Sequence, residues 1–92
     1  MRMDAHTRAA ALINSLLEAE RIPAKRVFVG RTGSLLVTFY GRESAERATE
    51  LFQPFVSGLR IGEGFDPGET TSIRNARRAD VKVYRVAGHL AA

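Results

Sequence analysis

Aromatic and basic residues alternate with apolar ones in the predicted strands, and their types suit contacts with nucleic acid. Bases stack on aromatic rings at about 1–3 kcal/mol each, while cationic side chains contact phosphates. If the apolar residues of these strands point toward a core, the opposite sheet face collects rings and cations. The candidates on that face are Arg26, Phe28, Thr38, Tyr40, Arg60, Lys82 and Tyr84. We interpret this face as a platform for single-stranded DNA or RNA.

The arrangement is similar to that of RNA-recognition sheets, but the ribonucleoprotein signatures and strand order of that class are absent, so no family is assigned. A second interpretation has Phe28, Leu36 and Tyr40 covered by residues 63–79, by the C-terminal tail or by another copy of the sheet. Exposed apolar patches often mark protein interfaces. The alternative function is therefore a protein-interaction module that homodimerises through this face.

The net charge of +4 is concentrated near the C-terminus. Residues 1–69 carry equal numbers of basic and acidic groups, so residues 70–92 hold the whole excess. Such a segment suits a phosphate backbone or an anionic protein surface, although a solvated loop has the same composition. The basic residues of this segment are Arg74, Arg77, Arg78, Lys82 and Arg85.

No constellation of residues in the sequence predicts catalysis or metal binding. His6 and His89 lie near opposite chain ends without the paired spacing of a zinc site. The glutamates of residues 43–50 are spaced like the solvent-exposed face of a helix and not like a catalytic carboxylate pair, and no Ser-His-acid motif is present. The glycine-rich residues 62–68 lack the Gly-Lys-Ser/Thr ending of a phosphate loop, which favours a turn. We expect a non-enzymatic protein with no metal and no cofactor.

The hairpin predicted from Lys25 to Tyr40 positions the first of the candidate residues. Its loop is Arg31-Thr32-Gly33, since a three-residue loop usually places glycine where φ is positive. Pairing from that loop separates two faces, because directly opposite residues share a side. The apolar face is Val27, Val29, Leu35, Val37 and Phe39; the mixed face is Arg26, Phe28, Leu36, Thr38 and Tyr40.

A helix is predicted from the N-cap Asp4 to about Arg21, and Pro23 prevents its continuation. Apolar residues recur at three- and four-residue spacing along it, which indicates one buried stripe. The stripe is Ala9, Leu12, Ile13, Leu16 and Leu17.

Ser44 is the preferred N-cap of a second predicted helix, with Arg42 or Glu43 as alternative starts, and Pro54 forces the helix to finish near residue 52 or 53. Its buried stripe is Ala45, Ala48, Leu51, Phe52 and Phe55.

Two more strands are predicted, at residues 57–62 and 80–86. In the first, Leu59 and Ile61 point inward and Arg60 outward. In the second, Val81 and Val83 lie on one side of the strand, and Lys82, Tyr84 and Val86 lie on the other. The sequence does not show which side faces the core, because alternation places Arg85 on the same side as the two valines. Residues 63–79 are expected to form a long flexible loop or hairpin arms, and residues 89–92 a frayed tail.

The element order α-β-β-α-β-β predicts one α+β domain over residues 1–92. The expected architecture is a two-layer sandwich with both helices on one face of an antiparallel sheet of three or four strands. The sequence contains no cysteine, which fits a reducing compartment. Its first residues resemble neither a signal peptide nor a membrane span. We therefore expect a cytoplasmic protein without a membrane partner.

Overall fold

Two helices cover one face of a four-stranded antiparallel sheet whose strand order is β1-β2-β4-β3. The computed structural model describes residues 4–67 and 80–91. The predicted α+β class and element order are confirmed, and of the two predicted strand numbers, three or four, the sheet has four. The elements are α1 (Ala5–Ala19), β1 (Arg26–Val29), β2 (Ser34–Phe39), α2 (Arg42–Phe52), β3 (Val56–Asp66) and β4 (Val81–Leu90).

Helix α1 begins after the predicted N-cap Asp4 and ends at Ala19, slightly before the predicted end. Its termination is a backbone motif: Arg21 adopts a left-handed φ of 55°. That turn lets the Ile22 N–H donate to the Leu17 carbonyl at 2.9 Å, which satisfies one of the carbonyls left free at the helix end. Ile22 is buried and anchors the link to β1.

The buried stripe of α1 is narrower than predicted. Ile13 and Leu17 are buried in the core, whereas Leu12 and Leu16 remain exposed. The reason is the position of the helix: α1 packs chiefly on β1, the strand at one edge of the sheet. An edge strand offers too little surface to cover the whole apolar side of the helix.

Helix α2 opens at Arg42, one of the predicted starts, with Gly41 as its N-cap, and ends at Phe52 as predicted. Its side chains Ala45, Ala48 and Phe52 are fully buried. The small alanines let the helix approach the centre of the sheet, where it packs on β2, β3 and β4.

The β1–β2 hairpin has the predicted turn and register. Gly33 has a φ of 90°, and its N–H donates to the Gly30 carbonyl at 3.0 Å. Val29 lies opposite Leu35 and Phe28 opposite Leu36. The turn therefore sends the valines into the core and leaves Phe28 on the far side of the sheet.

Strand β4 presents its even-numbered residues to the helices. Val86 lies opposite Val37, and both are fully buried in the core. Tyr84 and Lys82 share the side of Val86, so the prediction that they lie on the same sheet face as Phe28 is wrong. Val83 is also fully buried, on the side away from the main core. Parity alone could not distinguish these arrangements, because valines occupy both sides of this strand.

Strand β3 is longer than predicted and contains a bulge between Ser57 and Arg60. Gly58 provides the bulge with a φ of 64°. Arg60 points outward opposite Ala87, as predicted, and Leu59 packs against the core. Residues 63–66 continue the strand, and residues 68–79 of the predicted loop lie outside the described residues.

The C-terminal strand also extends past its predicted end. His89 pairs with Ser34 of β2, and the Leu90 N–H donates to the Gly33 carbonyl at 2.8 Å. The prediction of a frayed tail is therefore wrong for residues 89 and 90. Their pairing joins the β1–β2 turn to the end of β4.

Candidate functional site

The outer face is the side of the sheet turned away from α1 and α2. It comprises the even-numbered residues of β1 and β2, the odd-numbered residues of β4, and residues 57, 60, 62, 64 and 66 of β3. Tyr40 continues this side just beyond β2. Neither of the two described helices covers this face: Thr38, Asp66 and Val83 are buried on it, whereas Arg26, Phe28, Leu36, Tyr40 and Arg60 are exposed.

A row of four cross-strand neighbours forms the floor of a shallow basin on the outer face. In sheet order the row is Phe28, Leu36, Ala87 and Arg60. Neighbouring strands lie roughly 4.8 Å apart, so the row spans about 14 Å. The basin has a volume of about 500 Å³ and includes His89 in its lining. Phe28 is 55% exposed, which leaves much of its ring available for contact.

The outer face is positively charged. Arg26 and Arg60 are both exposed on it. Among the outer-face positions of the described strands, Asp66 is the one acidic residue, and its carboxylate is mostly buried between two cations. Lys25 Nζ lies 2.8 Å from Asp66 Oδ2, and the Arg85 guanidinium donates to Asp66 Oδ1. This three-residue cluster keeps a net charge of +1.

The hydrogen bond from Lys25 is the largest cause of a lowered Asp66 pKa; the charge of Arg85 also lowers it, while burial opposes both. The carboxylate is therefore ionised at neutral pH. Arg85 lies directly over Gly64, where any Cβ would overlap the guanidinium. The absence of a side chain at Gly64 thus allows Arg85 to reach across β3 to Asp66.

Tyr40 lies at the opposite end of the outer face from the basin. Its ring is 58% exposed, and Lys25 Nζ lies 5.7 Å from the ring centroid. A cation at that distance from a tyrosine ring is weakly attracted to it. The ring is therefore held beside the Asp66 cluster and retains an open surface for stacking.

The structure brings four of the predicted site residues together: Arg26, Phe28, Tyr40 and Arg60 lie on or beside the outer face. Thr38 shares the face but is buried.

Two predicted residues lie on the other side of the sheet. Lys82 Nζ is 5.6 Å from the centroid of the Tyr84 ring and 3.5 Å from a carboxylate oxygen of Glu63. These contacts occur on the helix-facing side. Arg74, Arg77 and Arg78 lie outside the described residues.

Two residues of the outer face, Asp66 and His89, are not among the site residues predicted from the sequence. Arg85 belongs to the predicted basic segment, and it lies on the same side of β4 as Val83. Asp66 lies in a predicted turn, and His89 lies in the predicted tail. No local pattern indicated their places, because both depend on β3 and β4 extending beyond the predicted strands.

Among residues 4–67 and 80–91, no group of three or more His, Cys, Asp or Glu side chains is arranged to hold a metal ion. None of the helices in the described residues is long and apolar enough to cross a membrane. Comparisons with protein-family models, with curated proteins and with solved structures found no match.

Proposed function

We propose that this protein is a small non-enzymatic nucleic-acid-binding module that takes a single strand across its outer face. In this proposal a base stacks on Phe28 in the basin, a second ring is available at Tyr40, and Arg26 and Arg60 contact phosphates. As part of the same proposal, the protein acts in the cytoplasm as an accessory or regulatory factor.

The observation that carries the proposal is the pairing of exposed rings with unopposed positive charge on one face. At the outer-face positions of the described strands, Arg26 and Arg60 meet no exposed acid, and Asp66 is already neutralised by Lys25 and Arg85. Single-stranded nucleic acid is bound by this combination: cations follow the backbone while aromatic side chains stack on unpaired bases. In a duplex the bases are stacked on one another, so the exposed ring of Phe28 favours a single strand.

The alternative of a homodimer through the same face is disfavoured by charge. Two outer faces packed together would place one positively charged surface, with Arg26, Arg60 and the Asp66 cluster, against another. Like charges brought together across an interface are costly. An acidic protein surface would avoid this repulsion, and the experiment below separates such a partner from nucleic acid.

The direct test is fluorescence anisotropy with a labelled oligonucleotide of about 12 nucleotides and mixed sequence, a length within the range that single-strand binding folds cover. The same sequence is used as DNA, as RNA and as a duplex. We expect the single strands to bind more tightly than the duplex, with affinity falling as salt rises. For single strands each phosphate contact contributes roughly −0.7 to the slope of log K against log salt.

The Arg26→Ala/Arg60→Ala variant should flatten that slope by about 1.4, since it removes two phosphate contacts. The matched control is Arg42→Ala/Arg47→Ala, which removes the same charge from exposed positions of α2. The control should keep most of the affinity. No binding at low salt, or equal losses in the two variants, would refute the proposal and leave an acidic protein surface as the better partner.

A further inference from the structure

A second exposed apolar surface lies on the helix layer, on the opposite side of the molecule from the outer face. Leu12 is 67% exposed, the highest value among the large apolar side chains of the described residues, and Leu16 is 38% exposed. Beside them runs a groove of about 200 Å³ between α1 and the side chains of Phe55 and Leu90. This groove has almost no polar lining.

Helical spacing places Leu12 and Leu16 on a stripe of α1 that is separate from the core stripe. These two leucines are one turn apart and lie side by side on the same surface. Ala5 and Ala19 extend the stripe toward the two helix ends and are exposed. Their small side chains leave room for another helix at the two ends of α1.

The residues that flank the two leucines on this stripe have opposite charges. Arg8 lies one turn before Leu12, and Glu20 lies one turn after Leu16. Both are exposed, and neither makes an ion pair with another of the described residues. Reversing the helix direction about position 14 therefore exchanges leucine with leucine and a positive residue with a negative one.

We propose that a second copy of this chain docks on this stripe, with the two α1 helices antiparallel about a twofold axis near position 14. Leu12 of one copy then meets Leu16 of the other, and the leucine ridge of each copy enters the groove of its partner. Arg8 faces Glu20 across the axis, and symmetry makes this ion pair twice. Such a self-complementary patch is what a twofold interface requires.

This interface is independent of the nucleic-acid proposal, because it uses the opposite layer of the molecule. It also differs from a dimer through the outer face, since its charged ends attract where two outer faces would repel. A dimer formed in this way leaves both outer faces exposed.

Sedimentation velocity over a range of protein concentrations tests the proposal. The wild type should sediment as a dimer and Leu12→Lys as a monomer. Circular dichroism should show that Leu12→Lys is folded, because the leucine it replaces is mostly exposed. Arg8→Glu and Glu20→Arg should each raise the dimer dissociation constant about 2- to 30-fold, a range based on two exposed ion pairs of ordinary strength.

The decisive variant combines Arg8→Glu with Glu20→Arg, which restores opposite charges across the axis and should restore the wild-type dissociation constant. Glu18→Arg is the matched control, because it makes the same charge change on the opposite side of α1. It leaves the Arg8–Glu20 ion pairs intact and should not raise the dimer dissociation constant. A wild type that is monomeric at all concentrations refutes the proposal. A dimer that survives Leu12→Lys, or a double variant no better than the singles, refutes it equally.

Discussion

The substitution Phe28→Ala separates binding at the outer face from folding. The ring is 55% exposed, so the core loses little when it is removed. Complete burial of a phenylalanine side chain contributes about 1.5–3 kcal/mol, and slightly less than half of this ring is covered. We therefore expect the free energy of unfolding to fall by about 1 kcal/mol, and the variant to remain folded.

The expected loss of binding is larger than the loss of stability. Stacking of one base on an aromatic side chain is worth about 1–3 kcal/mol, which corresponds to a 5- to 150-fold rise in the dissociation constant. Phe65→Ala is the matched control. Phe65 is 64% exposed and also lies on a strand, but its pairing with Lys82 places it on the helix-facing side. The two variants lose the same atoms from opposite sides of the sheet.

Both variants are titrated against the same labelled single strand at one salt concentration, and their unfolding is measured in urea. The reasoning holds if Phe28→Ala weakens binding at least about 5-fold while Phe65→Ala binds like the wild type. Equal weakening in the two variants would show that the effect is not specific to the outer face. Unchanged binding by Phe28→Ala would show that no base stacks on this ring.

Three further predictions concern the stability of the fold. Arg21→Gly should raise the free energy of unfolding in urea by about 0.5–1 kcal/mol, because glycine relieves the left-handed φ of 55° at the end of α1. Gly33→Ala should lower it by about 1–2 kcal/mol, because the hairpin turn holds φ at 90°. The pKa of Asp66 is lowered below the ordinary value of 3.8, so its stabilising contribution is complete above that value and is lost as pH falls through the folded-state pKa. Urea unfolding across this acid range should show a shallower decline for Asp66→Asn than for the wild type.

The β1–β2 hairpin could be predicted from the sequence because its short turn determines its register. Gly33 marks the position with positive φ, and the faces of Phe28 and Val29 follow from it by alternation. Four of the proposed site residues were found by this argument and by the alternation around Arg60. The residues of the turn therefore determine which side chains of this hairpin lie on the outer face.

No short turn determines the register of β4, which pairs with β2 from far away in the sequence. Val83 and Val86 are both fully buried, one on each side of the sheet, so hydrophobic alternation gives no unique answer. The predicted side of Lys82 and Tyr84 is wrong for this reason. The exposure of Leu12 and Leu16 could not be predicted either, because helical periodicity shows an apolar stripe without showing how much of it the sheet can cover.

The strand order has a consequence for how this chain can be divided. Residues 5–39 and 42–90 each hold one helix followed by one hairpin, and within the sheet the two halves meet along β2 and β4. Gly41 lies at the junction, exposed to solvent, before the first turn of α2. Separate peptides cut at this glycine would each carry a complete local unit, and their reassembly would depend on one intermolecular β-ladder and the shared core. The protein could thus be divided for use as a fragment-complementation reporter, with the boundary between the fragments at the β2–β4 pairing in the middle of the outer face.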